Sequence, residues 1–389
     1  KEYVIKVPAC GQKFNDYEKI LYDTTNTVLG ALSFLEKRNA DILKEFRIST
    51  ILNENETPEE GDPHKILITP IYMVIFDDML PVLIMPKGGN SLEAELRPET
   101  AVGMQFNLNE ILTIGTDIME GIKMMHWGNP CPPNPRLPSV ATNRIPIIHR
   151  DLKSPNLLIT YEGSGYKMRP RGQIIDFGLT RECEMGNCIN EYASGPIECG
   201  DLSMTRCGSI LWMAPEILLA HNYDQKVDIY SWAMVMYELI TSGMPWRDTP
   251  GVMGLHTVPN LVAILGMSPD WDVKLGASFV ADVEVDPRCA KALLKNLIED
   301  CWAQLPADRP EASEVIEELV IVKEKVAEEP GGAPGLPRSG SSSPPPSPPP
   351  SPRHLHNDRW HVIVDKLPTS RKVEFMNQRT HIEYTEVQP

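Results

Sequence analysis

Short stretches of apolar residues predict strands in the first part of the chain. These stretches lie at residues 1–7, 66–76 and 81–85, and they are bounded by polar or turn-forming residues. Residues 17–52 instead carry a mostly helical pattern, which a polar loop follows. We therefore expect this part of the chain to be rich in strands, with a helical stretch between the first two.

Beyond residue 88 the spacing of apolar residues becomes helical. One face of a long predicted helix collects seven of them: Leu108, Ile111, Leu112, Ile118, Met119, Ile122 and Met125. Similar patterns at 227–240, 290–303 and 312–327 predict three further helices. The pattern as a whole predicts an α+β protein whose larger part is helical.

The C-terminal region begins with a segment that cannot build a hydrophobic core. Residues 330–352 are rich in Gly, Ser and Pro, which favours an extended polyproline conformation. Three strand-like runs follow at 361–365, 372–376 and 381–387. They predict a small three-stranded antiparallel module after a linker.

Composition and charge exclude several classes of protein. A formal charge of −16 over 389 residues argues against binding to nucleic acid or to an anionic membrane. Apolar runs do not reach the length of a membrane span. Eight cysteines in a chain of this size do not form a disulfide scaffold, so we expect a reducing, cytoplasmic location.

The segment His149–Asn156 contains the residues that phosphoryl transfer to an alcohol requires. Asp151 supplies a carboxylate that can orient a hydroxyl and accept its proton. Lys153 can stabilise charge on the moving phosphoryl group, and Asn156 offers an oxygen ligand for Mg²⁺.

This octet resembles the catalytic loop of eukaryotic protein kinases, in the form typical of serine/threonine kinases because Lys153 follows Asp151 by two residues. The triplet Asp176-Phe177-Gly178 resembles the magnesium-binding motif of the same family, which implies that Asp176 is a metal ligand. Ala214-Pro215-Glu216 resembles the end of the activation segment of this family. The resemblance covers about residues 1–325. It implies a two-lobed fold that transfers the γ-phosphoryl group of ATP to Ser and Thr hydroxyls of a protein substrate.

Other residues receive roles only through this resemblance. Asp228 should brace the catalytic loop from its helix, and Arg309 should pair with Glu216. The stretch Gly208–Glu216 is similar to that of tyrosine-kinase-like serine/threonine kinases, the mixed-lineage and Raf-like groups.

Lys6 resembles the strand lysine that holds the α- and β-phosphates of ATP. That lysine needs a glutamate partner from a helix, and we favour Glu45 because the sequence after it resembles the end of this helix. The separation from Lys6 is long, so Glu36 and Glu18 are alternatives.

The resemblance also assigns the adenine-binding segment and the domain limits. Backbone groups of Met85 and Lys87 should bind adenine. A β-rich N-lobe at 1–87 lacks its first strands and the glycine-rich hairpin, so we expect the chain to be a fragment. The C-lobe should span 88–328.

After the linker at 329–353, residues 354–389 resemble a degenerate WW domain. Trp360 and Pro389 occupy the expected places, but Glu374 stands where a WW domain has a ligand-binding tyrosine. The Pro-rich linker or this module could bind SH3 or WW partners. A different function, a pseudokinase scaffold that binds nucleotide without transferring phosphate, is the alternative to an active kinase.

Overall fold

The structure is a computed structural model, and the chain divides into two compact units. The first comprises Lys1–Ile51, Thr69–Lys87 and Pro334–Pro389, and the second comprises Leu52–Ile68 and Gly88–Ala333. The residues that the structure describes are 3–6, 42–52, 65–70, 72–76, 82–98, 103–127, 146–163, 168–182, 209–219, 221–247, 249, 251–252, 254–271, 286, 288–329, 360–361, 373–377 and 382–385.

An antiparallel sheet and one helix form the first unit. Its N-terminal strands are β1 (Tyr3–Lys6), β2 (Tyr72–Phe76) and β3 (Val82–Pro86), and β3 lies between the other two. Helix α1 spans residues 42–52. Ile42 of α1 packs with Met73 and Leu83 of the sheet, so apolar burial joins helix and sheet.

The C-terminal strands belong to this same sheet. They are β9 (Trp360–His361), β10 (Val373–Asn377) and β11 (Ile382–Thr385), and the strand order is β11-β10-β2-β3-β1-β9. The strands β10 and β11 pair with each other, but β9 pairs with β1 at the opposite edge. The structure thus differs from the predicted module of three mutually paired strands. Edge strands carry unpaired N–H and C=O groups. Here β9 and β10 pair with the outer sides of β1 and β2, and β9 and β11 become the edge strands.

Short strands and most of the helices form the second unit. Its strands are β4 (Asn90–Ser91), β5 (Ile147–Ile148), β6 (Leu157–Glu162), β7 (Arg169–Ile174) and β8 (Arg181–Glu182). Its helices are α2 (Leu92–Leu96), α3 (Leu108–Trp127), α4 (Pro215–Leu218), α5 (Lys226–Thr241), α6 (Val258–Ala263), α7 (Ala290–Cys301) and α8 (Ala312–Glu328). The three long helices predicted after residue 226 correspond to α5, α7 and α8.

The predicted strand at 66–76 is divided between the two units. Only Tyr72–Phe76 forms a strand of the first sheet. Ile66 and Ile68 instead exchange backbone hydrogen bonds with Ile174 of β7, at 2.8 and 2.9 Å. A continuous apolar run does not reveal which of two partners each half will join.

Helix α5 is the centre of the second unit, since every one of its residues except Ile240 is buried. It crosses α3 at Gly115, where a Cβ atom would lie 2.6 Å from the sulfur of Met236. Trp232 of α5 donates its indole N–H to the Gly115 carbonyl at 3.0 Å. Gly115 therefore permits close approach of α3 and α5. Because it is packed on nearly all sides, α5 is a rigid support for the loops around it. No helix within the described ranges is long and apolar enough to cross a membrane.

Candidate active site

A buried carboxylate on α5 fixes the backbone of the loop between β5 and β6. Asp228 is 0% exposed and accepts the backbone N–H groups of His149 at 2.8 Å and Arg150 at 2.9 Å. The ring nitrogen Nε2 of His126 lies 2.9 Å from the same carboxylate. Hydrogen bonds to an ionised acceptor are strong, so they hold Arg150 in its left-handed conformation. The prediction that Asp228 braces this loop is confirmed.

Asp151, Lys153 and Asn156 form one polar cluster. The amine of Lys153 donates to Oδ2 of Asp151 at 2.7 Å. The amide nitrogen of Asn156 donates to the same oxygen at 3.0 Å and to the Asp151 carbonyl at 2.8 Å. A 3₁₀ turn at Ser154–Asn156 brings Asn156 back towards Asp151. Three of the predicted catalytic residues thus meet at one carboxylate.

The backbone brings Asp176 to this cluster. Ile175 donates its N–H to the carbonyl of Asn156 at 3.0 Å, and Asp176 is the next residue. The buried ring of Phe177 contacts that of His149 edge-on, at 5.5 Å between centroids. Asp176 itself has a left-handed backbone, with φ of 66°. The predicted magnesium ligands Asn156 and Asp176 therefore lie on adjacent stretches of chain.

In the first unit, Lys6 is paired with Glu45. The amine lies 2.5 Å from Oε1 of the carboxylate, and the side chain of Glu45 is only 4% exposed. This contact agrees with the choice of Glu45 as the partner. The alternatives, Glu18 and Glu36, lie outside the described residues.

Of the two predicted adenine-binding residues, Met85 lies in the same sheet as Lys6 and Lys87 lies just after it. Met85 is on β3 opposite Val4, and its side chain is buried. Lys87 follows β3 directly and is exposed. The adenine-binding role of Met85 and Lys87 stays a prediction.

A second predicted ion pair lies at α4, where Arg309 binds Glu216. Two guanidinium nitrogens lie 2.6 and 2.9 Å from the two carboxylate oxygens. Both side chains are buried, and Arg309 also donates to the carbonyls of Ala303 and Lys226. The guanidinium group lies 5.0 Å from the ring centre of Tyr230. These extra donations compensate for the burial of the charges, and the predicted pair is confirmed.

Sequence reasoning missed a buried group that we call the Glu238 cluster, defined by Arg97, Ser154, Trp212 and Glu238. Oε1 of Glu238 accepts from Arg97 at 2.6 Å and from the Ser154 hydroxyl at 3.0 Å. Oε2 accepts the indole N–H of Trp212 at 2.7 Å. The available signal was an acid near the end of a mostly apolar predicted helix, because burial of that acid would be costly without partners.

The electrostatic state of this cluster is set mainly by burial. Removal from water raises the pKa of Glu238 to about 7, although Arg97 and the hydrogen bonds from Trp212 and Ser154 act in the opposite direction. The carboxyl group therefore changes charge near neutral pH. Such a residue needs its partners more than an exposed glutamate does.

Comparison with known proteins agrees with this geometry. The protein kinase domain family matches residues 20–321. The chain is 29% identical over 170 residues to the RGS domain-containing serine/threonine-protein kinase A of Dictyostelium discoideum. These residues cover 44% of this chain and 11% of that relative. It is 29% identical over 184 residues to mitogen-activated protein kinase kinase kinase 12 of Rattus norvegicus, covering 47% and 16%.

A plant protein gives a similar result. The protein kinase and PP2C-like domain-containing protein of Arabidopsis thaliana is 31% identical over 193 residues, which cover 46% of this chain and 26% of the relative. In each case the chain matches well under half of the relative's length. The comparisons thus describe a domain that larger proteins contain.

Proposed function

Because the chain belongs to the protein kinase family, we propose that it is a serine/threonine kinase, which transfers the γ-phosphoryl group of Mg²⁺-ATP to Ser and Thr hydroxyls of proteins. The observation that carries the proposal is the cluster at Asp151, where Lys153 and Asn156 both contact the carboxylate. That carboxylate is the group required beside an incoming hydroxyl.

The residues present suit a magnesium–nucleotide complex. Asp176 offers a carboxylate, and the oxygen of the Asn156 amide remains available because its nitrogen makes the two bonds to Asp151. These oxygen ligands are the type that Mg²⁺ prefers. Mg²⁺ would supply charge neutralisation at the phosphates. Lys6, held by Glu45, would bind the α- and β-phosphates, and the backbone at Met85 and Lys87 would bind adenine.

The chemistry of the chain's own residues is mainly orientation and charge stabilisation. Asp151 orients the acceptor hydroxyl and takes its proton as the oxygen bonds to the γ-phosphorus, while the bond to the bridging oxygen breaks and ADP leaves. The Lys153 amine, held 2.7 Å from Asp151, lies where it can stabilise charge on the transferred group.

Support for serine and threonine as acceptors comes from Lys153 and from relatives. Tyrosine kinases usually lack a lysine two residues after the catalytic aspartate. The relatives include proteins whose names contain serine/threonine-protein kinase and mitogen-activated protein kinase kinase kinase. With the stretch Gly208–Glu216, these similarities support assignment to the tyrosine-kinase-like group.

Substitution of Asp151 by Asn tests the proposed function. The wild-type chain should transfer labelled phosphate from ATP to casein or to itself, and Asp151→Asn should reduce the rate by roughly 10²–10⁴-fold, the usual contribution of a general base. The thermal stabilisation by Mg²⁺-ATP should persist in the variant. Glu318→Gln, an exposed change on α8, is the control and should keep full activity.

The same experiment separates an active kinase from a pseudokinase. Stabilisation of the wild-type chain by Mg²⁺-ATP without any phosphate transfer would favour the nucleotide-binding scaffold. Transfer that survives Asp151→Asn undiminished would refute the role of Asp151.

The proposal extends to the arrangement of the whole chain. An N-lobe at 1–87 and a C-lobe at 88–328 would perform catalysis in the cytoplasm, and the linker at 329–353 would present its Pro-rich run to SH3 or WW domains. The WW-like identity of 354–389 stays a prediction. Because β9 and β10 pair with β1 and β2 of the sheet that carries Lys6, we expect deletion of 354–389 to lower activity on casein as well as to change which proteins are phosphorylated.

A further inference from the structure

A cavity in the second unit is lined by charged side chains that the proposed phosphoryl transfer does not use. We call it the Lys323 cavity, and its charged lining residues are Asp117, Glu162, Arg169, Arg171 and Lys323. They come from α3, β6, β7 and α8. Its volume of about 530 Å³ is within the range of sites that hold small molecules.

The β6–β7 hairpin separates this cavity from the residues proposed for catalysis. Strand β6 begins directly after Asn156, and β7 ends two residues before Asp176. Glu162 and Arg169 are register partners at the other end of the two strands. Six residues of extended strand span roughly 20 Å, so a ligand in the cavity would lie far from the proposed magnesium ligands.

Both acids of the cavity are bound to one internal cation, Arg171. The carboxylate of Asp117 accepts from its guanidinium group at 2.9 and 3.1 Å, and from the backbone N–H of Gly172 at 2.9 Å. Glu162 accepts from another nitrogen of the same guanidinium group at 2.9 Å. Within the described ranges, no group of three or more His, Cys, Asp or Glu residues could hold a metal ion. The acids therefore do not make this cavity a cation site.

Two further cations line the cavity without an acid of their own. Arg169 lies opposite Glu162 in the strand register, but Glu162 binds Arg171 instead. Arg169 and Arg171 are two positions apart on β7, so they lie on the same face of the strand. Among the residues that the structure describes, the side chains of Arg169 and Lys323 make no ion pair or hydrogen bond.

The environment of Lys323 disfavours a charged amine that has no anion beside it. The side chain is half-buried, and removal from water lowers the pKa of the amine. Asp117 acts in the opposite direction, but it is bound to Arg171, which lowers this pKa as well. The other acid that acts on Lys323 is Glu120, which is paired with Lys123. An anion that enters the cavity would offset the cost of this charge.

We propose that the Lys323 cavity is a binding site for a phosphate monoester, whose oxygens accept hydrogen bonds from Lys323 and Arg169. A phosphate group carries about −1.5 to −2 charges near pH 7 and has three acceptor oxygens, so it can bind two cations at once. A lysine supplies a point charge and an arginine a planar set of donors, and both are phosphate ligands. The distant carboxylates of this acidic chain do not prevent binding, because salt screens them beyond about 8 Å.

Calorimetric titration of the full chain with glycerol phosphate tests the site. The wild-type chain should bind the probe saturably, and Lys323→Gln should weaken binding about tenfold, the effect of one charge-assisted hydrogen bond. Arg169→Gln should weaken it by a similar factor. Without the probe, Lys323→Gln should keep or raise the melting temperature, because it removes a partly buried charge, so a loss of binding would not reflect unfolding.

Lys325→Gln is the matched control. Lys325 lies on the same helix, carries the same charge and contacts Glu328 at 3.3 Å, but it does not line the cavity. This variant should bind the probe as the wild type does. Equal weakening in Lys323→Gln and Lys325→Gln would reduce the effect to general electrostatics and overturn the proposal. Absence of binding to the wild-type chain, or binding that both Lys323→Gln and Arg169→Gln leave unaltered, would also overturn it.

A capped tripeptide with a central phosphoserine distinguishes the two sources of such a group. If this peptide binds about tenfold more tightly than glycerol phosphate, the ligand is a phosphorylated polypeptide whose backbone adds contacts. Equal affinities indicate a small phosphorylated molecule. The tripeptide with unmodified serine should not bind, and equal binding of the two peptides would contradict recognition of phosphate. These titrations do not depend on the proposed kinase function, since they measure no phosphate transfer.

Discussion

The two ends of helix α5 each present one fully buried acid, and the acids hold the molecule in different ways. Asp228, in the first turn, accepts backbone N–H groups from His149 and Arg150. Glu238, near the last turn, accepts from the side chains of three residues that are far apart in sequence, Arg97, Ser154 and Trp212. One acid therefore fixes the course of the main chain, and the other fixes contacts between side chains.

This difference determines how far each interaction depends on its neighbours. A backbone N–H exists at almost every position, so Asp228 can brace a loop whatever residues form it. Glu238 requires Arg97, Ser154 and Trp212 themselves. The Asp228 end therefore fixes the backbone of the catalytic loop, whereas the contacts at the Glu238 end depend on the identity of three side chains.

The largest expected effect is the loss of the Asp228 charge. In Asp228→Asn only one oxygen remains, so either the N–H of Arg150 or that of His149 faces an amide nitrogen. We expect the free energy of unfolding to fall by about 3–5 kcal/mol, the usual cost of breaking a buried charged interaction. Phosphate transfer should be lost as well. Urea denaturation and the casein assay measure the two effects.

Asp224→Asn is the control for this substitution. Asp224 uses one oxygen to accept the N–H of Lys226 at the start of the same helix, at 2.9 Å. An asparagine oxygen can replace it, so the expected loss is below about 1 kcal/mol. Equal losses for the two variants would contradict the special role of two convergent backbone donors.

The next largest effect is a pH dependence of the free energy of unfolding that comes from Glu238, near the C-terminal end of α5. Burial raises the pKa of Glu238 from 4.5 to about 7, so between these values the folded state binds a proton that the unfolded chain has released. The free energy of unfolding should then decrease as pH rises from about 4.5 to 7 and lose about 3 kcal/mol through this group. The groups that face Glu238 are Arg97, Ser154 and Trp212.

Urea denaturation of wild type and Glu238→Gln across this pH range measures the effect. The variant should show a flatter dependence because it cannot take up the proton. Glu318→Gln, on the exposed face of α8, should follow the wild-type curve. A wild-type slope that Glu238→Gln leaves unaltered would mean that another group is responsible.

The sequence was informative where chemistry is concentrated in consecutive residues. Asp151, Lys153 and Asn156 lie within one octet, so their contacts follow from a local turn. Glu45 was harder to identify because 39 positions separate it from Lys6, and several glutamates fall within that distance.

Long-range contacts without a local pattern could not be predicted. Arg97 and Glu238 are 141 positions apart, and neither lies in a motif that names the other. The pairing of Trp360–His361 with β1 could not be predicted for the same reason, because a short strand pattern does not specify which edge of a sheet the strand joins. In both cases the partner is determined by the folded arrangement rather than by neighbours in sequence.

The smallest expected effect comes from Ser231, which lies between the two acids on α5. Its hydroxyl contacts the backbone carbonyl of Trp212 at 2.8 Å and that of Val227 at 3.1 Å. Ser231→Ala should lower the free energy of unfolding by about 1 kcal/mol, since the Trp212 carbonyl loses a buried partner. The indole bond of Trp212 to Glu238 should survive, so phosphate transfer to casein should be unchanged. Urea denaturation of the variant beside the wild type measures the loss, and an unchanged midpoint would show that the bond to the Trp212 carbonyl adds nothing to stability.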